Sequence, residues 1–149
     1  MWGRHKKDLL IVHHSLTKDG QTVSASAIRK YHVETNGWQD VGYHLLCELV
    51  GDHYEMLVGR PLSAKAAAAP QYNANERGIH VCFVGNFDEA APEEAMLRFA
   101  APHLAHICYL AGISVDASHV LGHRDVNPHK SCPGTQFSLN RLIALMQVE

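Results

Sequence analysis

Four consecutive apolar residues, Leu9-Leu10-Ile11-Val12, run directly into His13-His14-Ser15, and no other feature restricts the fold as strongly. With no polar residue at alternate positions, the run reads as a strand buried on both faces. A strand of that kind sits inside a sheet that carries a covering layer on each side. Its carboxyl end presents two imidazoles. Successive strand residues point to opposite faces, so only one of the two can serve a given side of the sheet.

The rest of the chain supplies neighbours for that strand. Cap residues between Thr22 and Ser26 lead into Ala25-Ile28-Tyr31-His32, whose spacing predicts a helix that stops at Asn36-Gly37. Val41 to Val50 and Tyr54 to Val58, separated by Gly51-Asp52-His53, predict a β-hairpin. The alanine-rich stretch after Ser63 is broken by Pro70 and reads as a compact loop through Tyr72-Asn73. Gly78 to Gly85 is a second buried strand. Pro92 to Ala111 is the strongest helix, with an apolar surface drawn from Ala95, Leu97, Phe99, Leu104, Ile107 and Leu110 and with Tyr109 in the core. Ser118 to Leu121 predicts a short strand, a loop then runs to Gly134, and Leu139 to Val148 closes the chain as a helix. The order β-α-β-β-β-α-β-α predicts an α/β fold: one domain over residues 1–149, with a central mixed β-sheet flanked by helices and no appended module.

Charge and composition remove several functions. Lys plus Arg is 13 and Asp plus Glu is 15, a formal net charge of −2, and no basic amphipathic stretch is present. Binding to nucleic acid is therefore not expected. No apolar run approaches the length of a membrane span, and Leu9 to Val12 is too short for the core of a signal peptide. The expected location is a cytoplasm, with export requiring some other route. Cys47, Cys82 and Cys108 lie inside apolar runs and read as buried free thiols. Cys132, in Lys130-Ser131-Cys132-Pro133-Gly134, lies in a polar loop and needs another explanation.

Three candidate metal ligands fall at predicted element ends. His13 ends the first strand, His123 follows the late short strand, and Cys132 lies nine residues beyond His123. A thiolate with two imidazoles suits zinc, and three protein ligands leave the fourth position open, as in catalytic sites. No pair is spaced as in a compact structural zinc motif. With 12 histidines in the chain, spacing alone favours scattered surface residues over a metal site.

Five motifs in order carry more information than any one of them. Val12-His13-His14-Ser15, Asp40-Val41-Gly42-Tyr43-His44, Gly78-Ile79-His80-Val81-Cys82-Phe83-Val84-Gly85-Asn86, Gly122-His123-Arg124-Asp125 and Lys130-Ser131-Cys132-Pro133-Gly134 together resemble the type 2 N-acetylmuramoyl-L-alanine amidase family. That family includes phage T7 lysozyme and the peptidoglycan recognition proteins. Ile28-Arg29-Lys30-Tyr31-His32 before Gly37-Trp38, and Gly59-Arg60 after the hairpin, fit the same pattern, so the resemblance runs from about Leu9 to Leu145.

The resemblance implies a zinc enzyme that cuts the amide between N-acetylmuramic acid and the L-alanine of the stem peptide. It implies His13, His123 and Cys132 as Zn2+ ligands, with His13 rather than His14 turned to the metal. Tyr43 would orient the reacting water or pass a proton to the leaving amine, and Lys130 would place positive charge beside the developing oxyanion. Arg60, Tyr72 and Asn73 are the candidate substrate contacts, in a groove loop where the family's usual histidine is replaced by alanine at Ala68. His44 is expected in the core or behind the ligands, His129 is a competing ligand beside Lys130, and His32, His103 and His106 are expected half-buried or solvated. Asp125 is read either as the partner of a ligand histidine or as a loop cap. The partner implied is peptidoglycan or a muropeptide, and the expected unit is a monomer. A phage or prophage endolysin made in the host cytoplasm fits best. A cytosolic muropeptide-recycling amidase and a non-catalytic peptidoglycan-binding module are the alternatives.

Overall fold

The computed structural model describes residues 5–16, 28, 31–36 and 42–148. Strands β1 (Leu9–His14), β2 (Leu45–Val50), β3 (His53–Val58), β4 (Gly78–Phe83) and β5 (Val120–Gly122) form one sheet in the order β3-β2-β4-β1-β5. β4 runs parallel to both β1 and β2, β1 runs parallel to β5, and only β2 and β3 are antiparallel. Helices α1 (Ala74–Arg77), α2 (Glu94–Ala111), α3 (His123–Val126) and α4 (Leu139–Met146) flank the sheet. The expected α/β fold with a mixed sheet is what forms.

Strand alternation gives the sheet two different faces. Leu10 and Val12 of β1 and Ile79, Val81 and Phe83 of β4 pack with Met96, Leu97, Leu104 and Leu142 in the main core under α2 and α4. The opposite face is thinner. There Leu9 and Ile11 of β1 meet Ala69, Ala74 and Val126, while Leu46 of β2 and Cys82 of β4 meet Ile28 and Val84. That thinner layer is where the buried polar side chains collect. His13, His44 and His80 are all 1% exposed or less, which marks this face as the functional one.

Several sequence expectations shift. The hairpin forms with the expected turn, Gly51 taking φ +65°, but β2 begins at Leu45, and Val41 lies outside the described residues. Most of the helix expected from Ala25 to His32 also lies outside them, and Tyr31–Thr35 forms a single π-helical turn. Tyr109 is 81% exposed and Leu110 69%, which corrects their placement in the core. The buried stripe of α2 runs through Met96, Leu97, Ala100, Ala101, Leu104 and Cys108. Residues one and two steps past Cys108 are rotated about 100° and 200° away from it. The loop expected after β5 opens with α3, because the Asp125 carboxylate accepts the Gly122 N–H at 2.8 Å and caps a helical turn. Cys47, Cys82 and Cys108 are buried and unbridged, as expected.

Candidate metal centre

Parallel pairing brings the carboxyl ends of β1, β4 and β5 to one edge of the sheet. Val12 is in register with Gly122, so His13 emerges beside the point where β5 turns into α3, and His123 is the first residue of that helix. Cys132 arrives on a loop that is tied down at several points. The Arg124 N–H donates to the Cys132 carbonyl at 2.8 Å, and the Arg124 guanidinium donates to the carbonyls of Gly134 (2.7 Å) and Phe137 (3.3 Å). Ser131 Oγ donates to the Asp88 carboxylate at 2.9 Å. Gly134 takes φ +120° against the Phe87 backbone, where a Cβ would sit 2.4 Å from the Phe87 carbonyl carbon, so only glycine fits.

Among the described residues, His13, His123 and Cys132 form the group able to share a metal, their donor atoms lying within 4.8 Å of one another. Cys132 Sγ is 3.7 Å from His13 Nδ1, and the His13 and His123 ring centroids are 4.8 Å apart. Tetrahedral zinc, with bonds of about 2.0–2.3 Å to nitrogen and sulfur, separates its donors by about 3.3–3.8 Å. Nδ1 and Sγ already stand at that separation, and a thiolate with two imidazoles is a donor set that suits zinc.

Burial sets the protonation of this group. It holds His13 well below its ordinary range, with the neighbouring imidazoles His80 and His123 adding to the effect. It lowers His123 to about 4, helped by the charge of Lys130. Both rings are thus neutral near pH 7, the form that binds a metal. Burial pushes the Cys132 thiol up to about 11 against the opposing effect of the His14 N–H that points at its sulfur. A metal entering here therefore displaces the thiol proton.

The other predicted residues divide. The Tyr43 ring lies 5.1 Å from the His13 ring. Burial raises its hydroxyl well above the ordinary tyrosine range, with Cys82 beside it adding to the effect, so it keeps its proton. Lys130 is exposed on the turn in which its N–H donates to the Asn127 carbonyl, and its charge reaches both His123 and Cys132. Arg60 is buried and donates to the Lys65 carbonyl at 2.9 Å, tying down the following loop. Tyr72 (φ 55°, 72% exposed) and Asn73 (φ 57°) are left-handed residues at the tip of that loop.

His14 turns to the opposite face, where its Nδ1 accepts the Phe87 N–H at 3.1 Å. His129 is exposed and outside the donor group. His32 is half-buried, its Nδ1 accepting the Gly42 N–H at 2.8 Å, and Asp125 acts as a cap.

Two residues were missed in the sequence. Asn75 Oδ1 accepts the N–H groups of both Ala68 and Ala69, at 2.9 and 2.8 Å, and so shapes the groove loop. His80 stands directly behind His13. Because β2, β4, β1 and β5 are neighbours, His44, His80, His13 and His123 form a row of imidazoles across the sheet, with successive centroids 5.8, 5.0 and 4.8 Å apart. The sequence shows His80 only as one residue of a buried strand, and the register that puts it behind a ligand is set by pairing with β1.

The profile of the N-acetylmuramoyl-L-alanine amidase family, type 2, matches residues 3–135. The chain belongs to that family. The enzyme expected from its five motifs is thus an amidase by family, and phage endolysins are among its relatives. The endolysin of Escherichia phage T7 is 34% identical over 139 residues, covering 93% of this chain and 86% of that one. The N-acetylmuramoyl-L-alanine amidase of Sus scrofa is 32% identical over 108 residues, and this amidase spans 17% of its length. Among solved structures, the amidase LysC of Clostridium intestinale superposes with a TM-score of 0.81 at 21% identity, covering 100% of this chain and 94% of that one. Bumblebee PGRP-SA superposes with a TM-score of 0.76 at 27% identity, covering 92% and 82%.

Proposed function

We propose that this amidase is a zinc-dependent endolysin that hydrolyses the amide between the lactyl group of N-acetylmuramic acid and the L-alanine of the peptidoglycan stem, acting as a monomer through the domain of residues 9–145. The observation that carries the reading is the convergence of His13, His123 and Cys132 at the carboxyl ends of parallel strands, beside an exposed lysine and a protonated tyrosine. These three residues would hold the zinc. The bound metal supplies Lewis acidity, making water reactive near neutral pH and polarising the scissile carbonyl.

The chain's own groups do the rest. The water oxygen bonds to the carbonyl carbon, the C–N bond breaks, and the leaving L-alanine nitrogen takes up a proton. Tyr43 keeps its phenolic proton near pH 7, so it acts as a donor that orients the reacting groups or protonates the leaving amine. Lys130 holds positive charge where the oxyanion develops. Tyr72 and Asn73, on the exposed loop tip, meet the substrate, while Arg60 holds that loop through the Lys65 carbonyl.

Purified sacculi digested with zinc-loaded and with chelated protein test the assignment. Zinc-dependent release of intact stem peptides carrying a free L-alanine amino group, read by mass spectrometry, is expected. Intact sacculi with cleavage of soluble muropeptides would assign recycling instead, and binding without cleavage would assign recognition.

A further inference from the structure

His80 has no part in the donor group, yet it is fully buried in the middle of β4. A buried imidazole needs its two nitrogens satisfied, and each contact here is specific. His80 Nε2 lies 2.6 Å from the Ala74 carbonyl. A carbonyl only accepts, so Nε2 carries the proton. His80 Nδ1 lies 2.8 Å from His13 Nε2, and two N–H groups cannot face each other at that distance. Both hydrogen-bond partners of the ring, a backbone carbonyl and another imidazole, are uncharged, and the ring is fully buried, where an unpaired charge is costly. The ring is therefore neutral, and Nδ1 is an acceptor. The proton between the rings is on His13 Nε2, leaving the lone pair on His13 Nδ1, the atom that faces Cys132 Sγ at 3.7 Å.

We infer that His80 is a positioning residue for the metal centre, accepting the His13 Nε2–H so that His13 is held as the one neutral tautomer whose Nδ1 is bare toward Cys132 and His123. The inference rests on the proposed reading of that group as a zinc site. In many zinc sites a carboxylate or a backbone carbonyl takes the far N–H of a ligand histidine. Here a second histidine does so, itself fixed by a backbone carbonyl.

Two independent features hold His80 in this state. Its backbone N–H donates to His44 Nδ1 at 2.9 Å, and His44 Nε2 in turn donates to the Ala64 carbonyl at 2.7 Å. That carbonyl also accepts from Lys7 Nζ at 2.7 Å. The two rings in line behind His13 are thus both Nε2–H tautomers, each ended by a carbonyl. Gly78, two residues before His80 on the same face, makes the packing possible. A Cβ there would lie 2.7 Å from His80 Nε2 and 2.7 Å from the Ala74 oxygen, between the donor and its acceptor.

The test is to read the His13 tautomer in the metal-free protein by long-range proton–nitrogen correlation NMR, and zinc affinity by competition with a chromophoric chelator. The wild type is expected to show His13 protonated at Nε2. His80→Ala removes the acceptor and is expected to mix the His13 tautomers and weaken zinc binding roughly 10- to 100-fold. His80→Asn, whose amide oxygen can stand near the site of Nδ1, is expected to restore the tautomer and most of the affinity. A purely structural His80 would not move the His13 nitrogen signals selectively. Should His80→Ala fail to fold, the wild-type spectrum and His80→Asn decide. A wild-type His13 protonated at Nδ1, or an unchanged tautomer and affinity in His80→Ala, overturns the inference. A wild type that binds no zinc while showing the Nε2–H tautomer overturns the functional reading and leaves the hold of His80 on His13 standing.

Discussion

Cys132 Sγ and His13 Nδ1, 119 positions apart in the chain, stand 3.7 Å from each other. Neither is placed by its own local sequence. His13 is carried by the end of a strand buried on both faces, and Cys132 by a loop held through Arg124 and Asp88. Replacing the sulfur should therefore remove a ligand without unfolding the loop. Cys132→Ser is expected to weaken zinc binding by at least roughly 100-fold and to abolish amide cleavage, with an unchanged far-ultraviolet circular dichroism spectrum. Full retention of zinc and activity would remove Cys132 from the centre.

Lys130 separates binding from turnover. Its side chain is exposed, and its backbone N–H rather than its ammonium shapes the turn. Lys130→Ala should keep zinc affinity within a few-fold and lower kcat by roughly 100-fold, the scale of losing one oxyanion-stabilising group. Loss of metal together with activity would show that Lys130 supports the ligands instead.

The buried imidazoles make the metal-free protein acid-labile. His44 is lowered from 6.5 to about 4, mainly by burial. Between those values the unfolded chain binds a proton at His44 that the folded chain does not. Stability therefore rises with pH through that window and is lost as pH falls from 6.5 toward 4, by on the order of 3 kcal/mol for this residue. His80, lowered to about 3, and His123, lowered to about 4, act in the same direction. Urea denaturation of the metal-free protein should show a lower midpoint near pH 5 than near pH 7, and His44→Gln should flatten the difference. Equal midpoints would mean that these rings are charged or solvated in the fold.

Gly78 is the tightest test of the histidine row. Gly78→Ala pushes a methyl group between His80 and the Ala74 carbonyl and against Ile11 Cγ1 at 2.9 Å. A loss of about 1–3 kcal/mol in thermal or urea unfolding is expected, with weakened zinc binding beyond what the stability change produces. An unperturbed protein would mean that the strand shifts freely there.

The parts of the fold legible in the sequence are those set by local pattern. Leu9 to Val12 and, within Gly78 to Gly85, Val81 to Val84 are unbroken apolar runs of strand length, and Gly51-Asp52 marks the hairpin turn. The ligand residues were legible because they sit at element ends in ordered motifs. What stayed hidden depends on register and on neighbours distant in sequence. His80 pairs with Ile11 across β1 and β4, and nothing local says that its ring backs onto His13. Asn75 looks like an ordinary polar residue until its carbonyl oxygen is seen holding two amides of the groove loop. Tyr109 and Leu110 read as core because apolar residues crowd that end of α2, whereas the sheet touches only the stripe that ends at Cys108. The turn of α3 depends on a single carboxylate cap, too small a signal to separate from a polar loop.

The central claim is that His13, His123 and Cys132 hold a catalytic zinc. X-ray absorption at the zinc edge, on protein loaded with one equivalent of metal, tests it most directly. The account predicts one sulfur and two imidazole nitrogens with one further light ligand, and loss of the sulfur scattering in Cys132→Ser. A wild-type centre with no sulfur neighbour, or with two, would contradict it.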